Sequence, residues 1–133
     1  MNVFIVEDSG AMRENLRAML SDFHDVRIVG YAADEADAIE HINALLPDIV
    51  ILDLNLQSGS GVAVLKNIKK YHVEIKVMVL TNCTDEIYVD ACKRANADYF
   101  FDKSFQFMQV RDVFANWSNA SVPVNKFDSS ISE

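Results

Sequence analysis

The stretch Asp48–Leu54, "DIVILDL", decides how this chain of 133 residues is expected to fold. Its apolar core, Ile49 to Leu52, is uninterrupted and lies between two aspartates, Asp48 and Asp53. A strand without a polar face is expected to be covered on both faces, as the central strands of parallel sheets are. We therefore predict that Asp48–Leu54 is a central strand that carries Asp53 near its carboxyl end.

Outward from this stretch, apolar runs alternate with segments in which apolar residues recur at helical spacing. Met12, Leu16 and Met19, for example, lie on one face of a helix. Such alternation predicts βα units and an α/β fold, a doubly wound parallel sheet in the flavodoxin-like order 2-1-3-4-5 with helices on both faces. The four other predicted strands are Val3–Val6, Val26–Ala32, Ile75–Thr81 and Asp98–Phe101.

The length suits one domain, which we place at residues 1–118. From Asn119 onward the periodicity is lost and Ser, Asn and Pro accumulate, so residues 119–133 are predicted to be a flexible C-terminal tail or a linker stump.

The composition excludes several classes of protein. A formal net charge of −8 opposes direct binding to nucleic acid, which requires a dense basic face. No apolar run approaches the roughly 20 residues of a membrane span, and the N-terminus lacks the basic leader of a signal peptide. Cys83 and Cys92 form no metal-binding motif, and we expect free thiols and a cytoplasmic location.

The chemistry of this sequence collects at the predicted strand ends. Glu7 and Asp8 follow the first strand, Asp53 ends the third, Thr81 ends the fourth and Lys103 follows the fifth. In doubly wound sheets the ligand site lies at the carboxyl ends of the strands, so these side chains are expected to meet. Two carboxylates ~4 Å apart repel by ~4 kcal/mol at an effective dielectric near 20, and such a cluster recruits protons or a cation. Oxygen ligands alone favour Mg²⁺.

Carboxylates, a hydroxyl, an ammonium and Mg²⁺ together suit phosphoryl transfer, in which Asp53 is the best candidate for the nucleophile. Each residue also has an ordinary structural interpretation. Asp8 and Ser9 both fit the N-cap of the first helix, Asp53 could be a turn residue, and Thr81 and Lys103 could be structural and solvated. Their convergence at one edge favours a site.

At this point the sequence resembles the receiver domain of bacterial response regulators, in the CheY-like superfamily. The resemblance runs from Asn2 to about Trp117 and favours a stand-alone receiver. Its landmarks, in chain order, are "ED" at Glu7 and Asp8, "ILDLNL" around Asp53, "SGSG" at 58–61, "VLT" ending at Thr81, and "ANADYFFDKS" ending at Lys103 and Ser104.

The resemblance implies a role for each residue. Asp53 is the implied phosphoacceptor, with Lys103 paired to the phosphoryl group. The implied Mg²⁺ site uses Asp8 directly, Glu7 through water, Asp53, and the backbone carbonyl of Asn55. Thr81 and Phe100 are the implied switch pair, in which Thr81 swings to bond a phosphoryl oxygen and the Phe100 ring moves in behind it.

The resemblance also implies partners. The phosphoryl donor is a sensor histidine kinase or a phosphotransfer protein. A downstream protein or dimer partner reads the surface of the fourth helix, fifth strand and fifth helix. The chain is then no enzyme beyond its own phosphorylation and dephosphorylation on Asp53.

Several residues depart from the family's usual pattern. Ser104 replaces the proline that usually follows the lysine through a cis bond, and a cis bond before a non-proline residue costs ~3 kcal/mol, so a trans bond and a different loop are expected. Asn82 is larger than the usual residue after Thr81 and is expected to narrow access to Asp53. Cys83 and Asn55 also lie where they could tune the lifetime of the phosphorylated state.

Two alternatives remain open from the sequence. The chain could be the receiver of a longer DNA-binding transcriptional regulator. It could also be a haloacid-dehalogenase-type phosphatase, which shares an aspartate nucleophile, lysine and Mg²⁺ but carries its DxDx[TV] motif on the first strand. In this chain the corresponding aspartate lies on the third predicted strand.

Overall fold

The computed structural model describes residues 1–119, which form a five-stranded parallel sheet with helices on both faces. The strand order is β2-β1-β3-β4-β5, so the predicted fold class and order are confirmed. The elements are β1 (Asn2–Val6), α1 (Gly10–Leu20), β2 (Arg27–Ala32), α2 (Glu35–Leu45), β3 (Ile49–Leu52), α3 (Gly61–Tyr71), β4 (Lys76–Thr81), α4 (Glu86–Arg94), β5 (Tyr99–Asp102) and α5 (Phe107–Asn119).

Two hydrophobic layers sandwich the sheet. Along β1, Phe4 and Val6 face the layer formed with α2, α3 and α4, whereas Val3 and Ile5 face the layer formed with α1 and α5. All four residues of β3 are buried, because this strand lies at the centre of the sheet. The uninterrupted apolar run at the centre of "DIVILDL" is therefore explained by burial on both faces.

The strand β3 is shorter than predicted and ends at Leu52, one residue before Asp53. The backbone N–H of Asp53 still donates to the carbonyl of Val6 at 2.9 Å, so the peptide that carries Asp53 is fixed to the end of β1. The side chain of Asp53 consequently stands at the carboxyl edge of the sheet.

Ser9 is the N-cap of α1, and its hydroxyl accepts a hydrogen bond from the N–H of Met12 at 3.2 Å. The expectation that Asp8 also caps this helix is wrong, because the hydroxyl of Ser9, one residue later, occupies the capping position. Asp8 therefore remains exposed beside the carboxyl edge of the sheet.

At the C-terminus, Asn119 is the last residue of α5, whereas the predicted tail begins at that residue. The remainder of the predicted tail, residues 120–133, lies outside the described residues. Within residues 1–119, no helix has the length and apolar character needed to cross a membrane.

Candidate functional site

Asp53 is the centre of the site at the carboxyl edge of the sheet. Its side chain is buried, with the residue only 5% exposed, yet both carboxylate oxygens have polar partners. Oδ1 accepts from the hydroxyl of Thr81 at 2.7 Å and from the N–H of Asn55 at 3.2 Å, and Oδ2 accepts from Nζ of Lys103 at 2.8 Å. These contacts fix the orientation of the carboxylate and come from the ends of three neighbouring strands.

Glu7 is a second buried carboxylate in the site and is 2% exposed. Its Oε1 lies 2.8 Å from Nζ of Lys103, and its Oε2 accepts from the N–H of Ser9 at 3.1 Å. Burial is the main reason that the pKa of Glu7 is raised, and the nearby charge of Asp53 adds to it, while Lys103 and Ser9 oppose it.

Lys103 contacts both Glu7 and Asp53 with its ammonium group. Burial lowers its pKa, but the hydrogen bonds to Asp53 and Glu7 and their charges outweigh burial, so the pKa of Lys103 is raised overall. Lys103 is therefore a permanent cation in this pocket.

One carboxylate oxygen from each of Glu7, Asp8 and Asp53 lies within 4.8 Å of the other two. One lysine cannot balance three carboxylates, and the donor set consists of oxygen atoms only. This chemistry fits a hard cation such as Mg²⁺. Both oxygens of Glu7 and both oxygens of Asp53 already have polar partners, whereas the carboxylate of Asp8 is exposed beside them.

Thr81 and Phe100 lie on neighbouring strands behind the carboxylates. Thr81 is fully buried, and its hydroxyl both donates to Asp53 and accepts from the N–H of Cys83 at 3.1 Å. The Phe100 ring is buried in the core layer on the side of α2, α3 and α4. The structure thus places a threonine hydroxyl on Asp53 and a buried phenylalanine on the adjacent strand.

The sequence model of the response regulator receiver domain matches residues 3–115, nearly the whole described part of the chain. The chain belongs to the response regulator receiver domain family. It is accordingly a receiver domain of two-component signalling.

Relatives and solved structures agree with this membership. A protein-glutamate methylesterase/protein-glutamine glutaminase of Methanospirillum hungatei is 32% identical over 116 residues, which are 85% of this chain and 34% of that protein. The DNA-binding transcriptional activator DevR/DosR of Mycobacterium tuberculosis is 29% identical, over 89% of this chain and 56% of that protein. The receiver thus spans about a third to a half of the length of these two relatives.

Among solved structures, the response regulator domain of Thermotoga maritima CheB has a TM-score of 0.77 at 26% identity, covering 91% of this chain and 95% of that one. The receiver domain of RcsB from Salmonella enterica has a TM-score of 0.83 at 23% identity, covering 99% of this chain and 96% of that one. At this level of identity, the similarity to RcsB shows the fold alone. The phosphatase alternative is not favoured, since the matching family is the receiver and Asp53 follows the third strand.

The receiver's loop after β5 differs from the family pattern in the way the sequence predicts. No peptide bond in residues 1–119 is cis, so the Lys103–Ser104 bond is trans. The loop is instead turned by Asp102, whose Oδ1 accepts from the N–H groups of Ser104 at 2.8 Å and Phe105 at 3.2 Å. An aspartate that precedes such a turn is a recognisable signal, but we did not single out Asp102 from the sequence.

The tuning residues predicted from the sequence lie around the pocket. Asn82 and Ser104 are exposed and hydrogen-bonded to each other, Cys83 is half-buried, and Asn55 is exposed beside Asp53. The backbones of Asn55 and Ser60 also pair as an isolated antiparallel β-bridge, which folds the loop after β3 back toward α3.

Gly61, the first residue of α3, belongs to the "SGSG" landmark, but its close contact with the backbone of Asp53 was not predicted from the sequence. A Cβ placed there would overlap the carbonyl of Asp53 and the Cα of Leu54, and its own N–H donates to the carbonyl of Leu54 at 3.0 Å. Backbone atoms cannot move aside as a flexible side chain can. The close approach of α3 to the peptide of Asp53 therefore requires glycine.

Proposed function

We propose that this receiver is a phosphorylation-activated switch in which Asp53 accepts a phosphoryl group from a phosphohistidine on a sensor kinase or phosphotransfer protein. A carboxylate oxygen of Asp53 forms the new O–P bond while the N–P bond of the donor breaks, and the electron pair stays on the imidazole nitrogen. Water later attacks phosphorus, which releases inorganic phosphate and restores Asp53.

The observation that carries this proposal is the double engagement of a buried carboxylate by Thr81 and Lys103. A hydroxyl and an ammonium that converge on Asp53 are the groups needed to bind the oxygens of a transferring phosphoryl group. Lys103 neutralises negative charge as it develops, and Thr81 offers a hydrogen-bond donor at the same place.

Asp8, Asp53 and the backbone carbonyl of Asn55 would hold Mg²⁺ directly, with Glu7 nearby. When bound, the ion supplies positive charge that screens the carboxylates from the incoming phosphoryl group. The closeness of the three carboxylates supports this assignment, because their repulsion is relieved only by a proton or a cation.

For the output, we propose the surface formed by α4, β5 and α5, which we call the output surface. A phosphoryl group adds about 1.5 to 2 negative charges and three acceptor oxygens beside Thr81, and Phe100 lies on the adjacent strand. Large apolar side chains on or beside these helices are exposed, as a docking surface for a downstream protein or a second receiver requires: Ile87, Tyr88, Phe105 and Met108.

We also propose that this chain turns over no substrate other than its own phosphoryl group and binds no nucleic acid directly. The acidic net charge supports the second statement. A reducing, cytoplasmic location is supported by two free cysteines. Burial raises the pKa of Cys92 to about 11, so this thiol stays protonated and unreactive.

The decisive experiment is incubation with acetyl phosphate and Mg²⁺, followed by borohydride trapping of the acyl phosphate and peptide mapping. We expect one modified residue, Asp53, and no modification when a chelator removes Mg²⁺. Asp48→Asn is a matched control, because Asp48 is an exposed acid at the opposite edge of the sheet and its loss should leave labelling unchanged. Modification of another residue, or of none, would overturn the proposal.

A further inference from the structure

Two loops that carry the groups contacting Asp53 are joined by a side-chain hydrogen bond. Asn82 directly follows Thr81, and Ser104 directly follows Lys103. The hydroxyl of Ser104 donates to Oδ1 of Asn82 at 3.0 Å. We call this contact the Asn82–Ser104 bridge.

The bridge lies beside a second, main-chain link between the same loops. The N–H of Lys103 donates to the carbonyl of Thr81 at 2.9 Å. On the β5 side, the loop is also closed on itself, because Asp102 receives the N–H of Ser104 and donates its own N–H to Oε1 of Gln106 at 2.7 Å. Ser104 is thus a well-anchored point from which to hold the Asn82 side chain.

We propose that the Asn82–Ser104 bridge positions the Asn82 side chain across the gap between the loops after β4 and β5, and thereby restricts the size of the phosphoryl donor that reaches Asp53. This inference rests on the proposed function of Asp53. Ser104 is in these terms a positioning residue, since it acts through its hydrogen bond to Asn82.

The contacts favour this role over that of a simple loop staple. Both partners are exposed, so their hydrogen bond competes with water and contributes little to folding. The main-chain bond between Lys103 and Thr81 and the turn at Asp102 already fix the loops without it. What the bridge adds is a fixed place for one side chain beside the groups that contact Asp53.

The test compares phosphorylation rates of wild type, Ser104→Ala, Ser104→Thr, Asn82→Ala and the double variant, with acetyl phosphate and with the smaller donor phosphoramidate. We expect Ser104→Ala to react about twofold faster with acetyl phosphate, the change given by the lower end of a hydrogen bond's net contribution. Ser104→Thr retains a hydroxyl and should react as wild type.

Two further results follow if Ser104 acts through Asn82. In the Asn82→Ala background, Ser104→Ala should have no additional effect, because no side chain remains to be held. The acceleration should be smaller with phosphoramidate, because a small donor is less restricted. All variants should have the wild-type melting temperature.

The outcomes separate this inference from the function on which it rests. If wild type takes up no phosphoryl group on Asp53, the proposed function itself is overturned. If wild type is labelled but Ser104→Ala reacts at the wild-type rate, only the bridge's role is overturned. The same holds if Ser104→Ala increases the rate as much in the Asn82→Ala background as in wild type, or as much with phosphoramidate as with acetyl phosphate.

Discussion

At the amino edge of the sheet Lys69 pairs with Asp98 at 2.8 Å, and at the carboxyl edge Lys103 pairs with Asp53 at the same distance. Both lysine side chains are 12% exposed, and the aspartate side chains are 8% and 6% exposed. By distance and burial alone the two pairs are nearly indistinguishable.

Their surroundings differ. Asp98 also accepts from the N–H of Val77 at 2.8 Å, and Lys69 also donates to the carbonyl of Ile75 at 2.7 Å, so this ion pair is anchored to backbone groups. Lys103 instead faces a cluster of three carboxylates, Glu7, Asp8 and Asp53. The comparison teaches that a balanced buried pair indicates a structural role, whereas an excess of charge indicates a site that binds something more.

The strongest contrast is expected from Asp53→Asn. Labelling by acetyl phosphate should fall to background, because the amide cannot form the acyl phosphate. In the presence of a chelator the variant should unfold at no lower temperature than wild type, since one of three repelling carboxylates is removed and Lys103 keeps Glu7. Radiolabelling and thermal unfolding measure the two effects, and wild-type labelling would refute the site.

The opposite result is expected from Asp98→Asn. This change leaves Lys69 without its carboxylate in a buried position, and breaking such a pair costs about 3 kcal/mol of unfolding free energy. Urea unfolding measures the loss, and labelling of Asp53 in the folded variant should persist. A loss of stability below about 1 kcal/mol would mean that the pair is not the structural staple that the comparison requires.

Gly61→Ala should affect both stability and chemistry by a smaller amount. The added methyl group would press on the backbone at Asp53 and Leu54, with an expected cost of about 2 kcal/mol and slower labelling. Gly10→Ala is the matched control, because Gly10 also begins a helix but its added Cβ meets only Nη2 of Arg13, at 3.5 Å. Urea unfolding should show a lower free energy of unfolding for Gly61→Ala but not for Gly10→Ala. Equal losses of stability in the two variants would contradict the close approach of α3 to Asp53.

The smallest effect concerns Glu7 and pH. Its pKa is raised above 4.5 in the folded chain, mainly by burial, so the folded state holds this proton more tightly than the unfolded state. The stabilisation that the protonated Glu7 side chain gives to the folded state is complete below pH 4.5. It is lost as pH rises through the higher pKa of the folded state. In the presence of a chelator, the free energy of unfolding of Glu7→Gln should therefore increase relative to that of wild type as pH rises from 4 to 7. A constant difference across this range would contradict the assignment.

Much of the carboxyl edge could be predicted from the sequence, because parallel strands bring their ends to one edge whatever the helices between them do. This rule is sufficient to group Asp53 with Thr81 and Lys103. The amino edge offered no comparable rule. Lys69 lies within α3 and Asp98 precedes β5, and only the packing of that helix against the sheet joins them.

Some details of the carboxyl edge could not be predicted, because the sequence offers two nearly equivalent residues for the same role. Asp8 and Ser9 are both good N-caps, and the sequence could not decide which of them lies at the correct backbone position. The contact of Lys103 with Glu7 as well as Asp53, and the close approach of Gly61, depend on sub-ångström packing that spacing along a chain does not encode.

The capping of α1 by Ser9 has a consequence for how the molecule communicates. Because the hydroxyl of Ser9 rather than the carboxylate of Asp8 caps α1, Asp8 can bind a cation without breaking that cap. We therefore expect the Ser9 cap of α1 to persist when the pocket binds a cation. In the function proposed above, the surface that changes is the output surface, which Thr81 on β4 and the adjacent Phe100 on β5 link to Asp53.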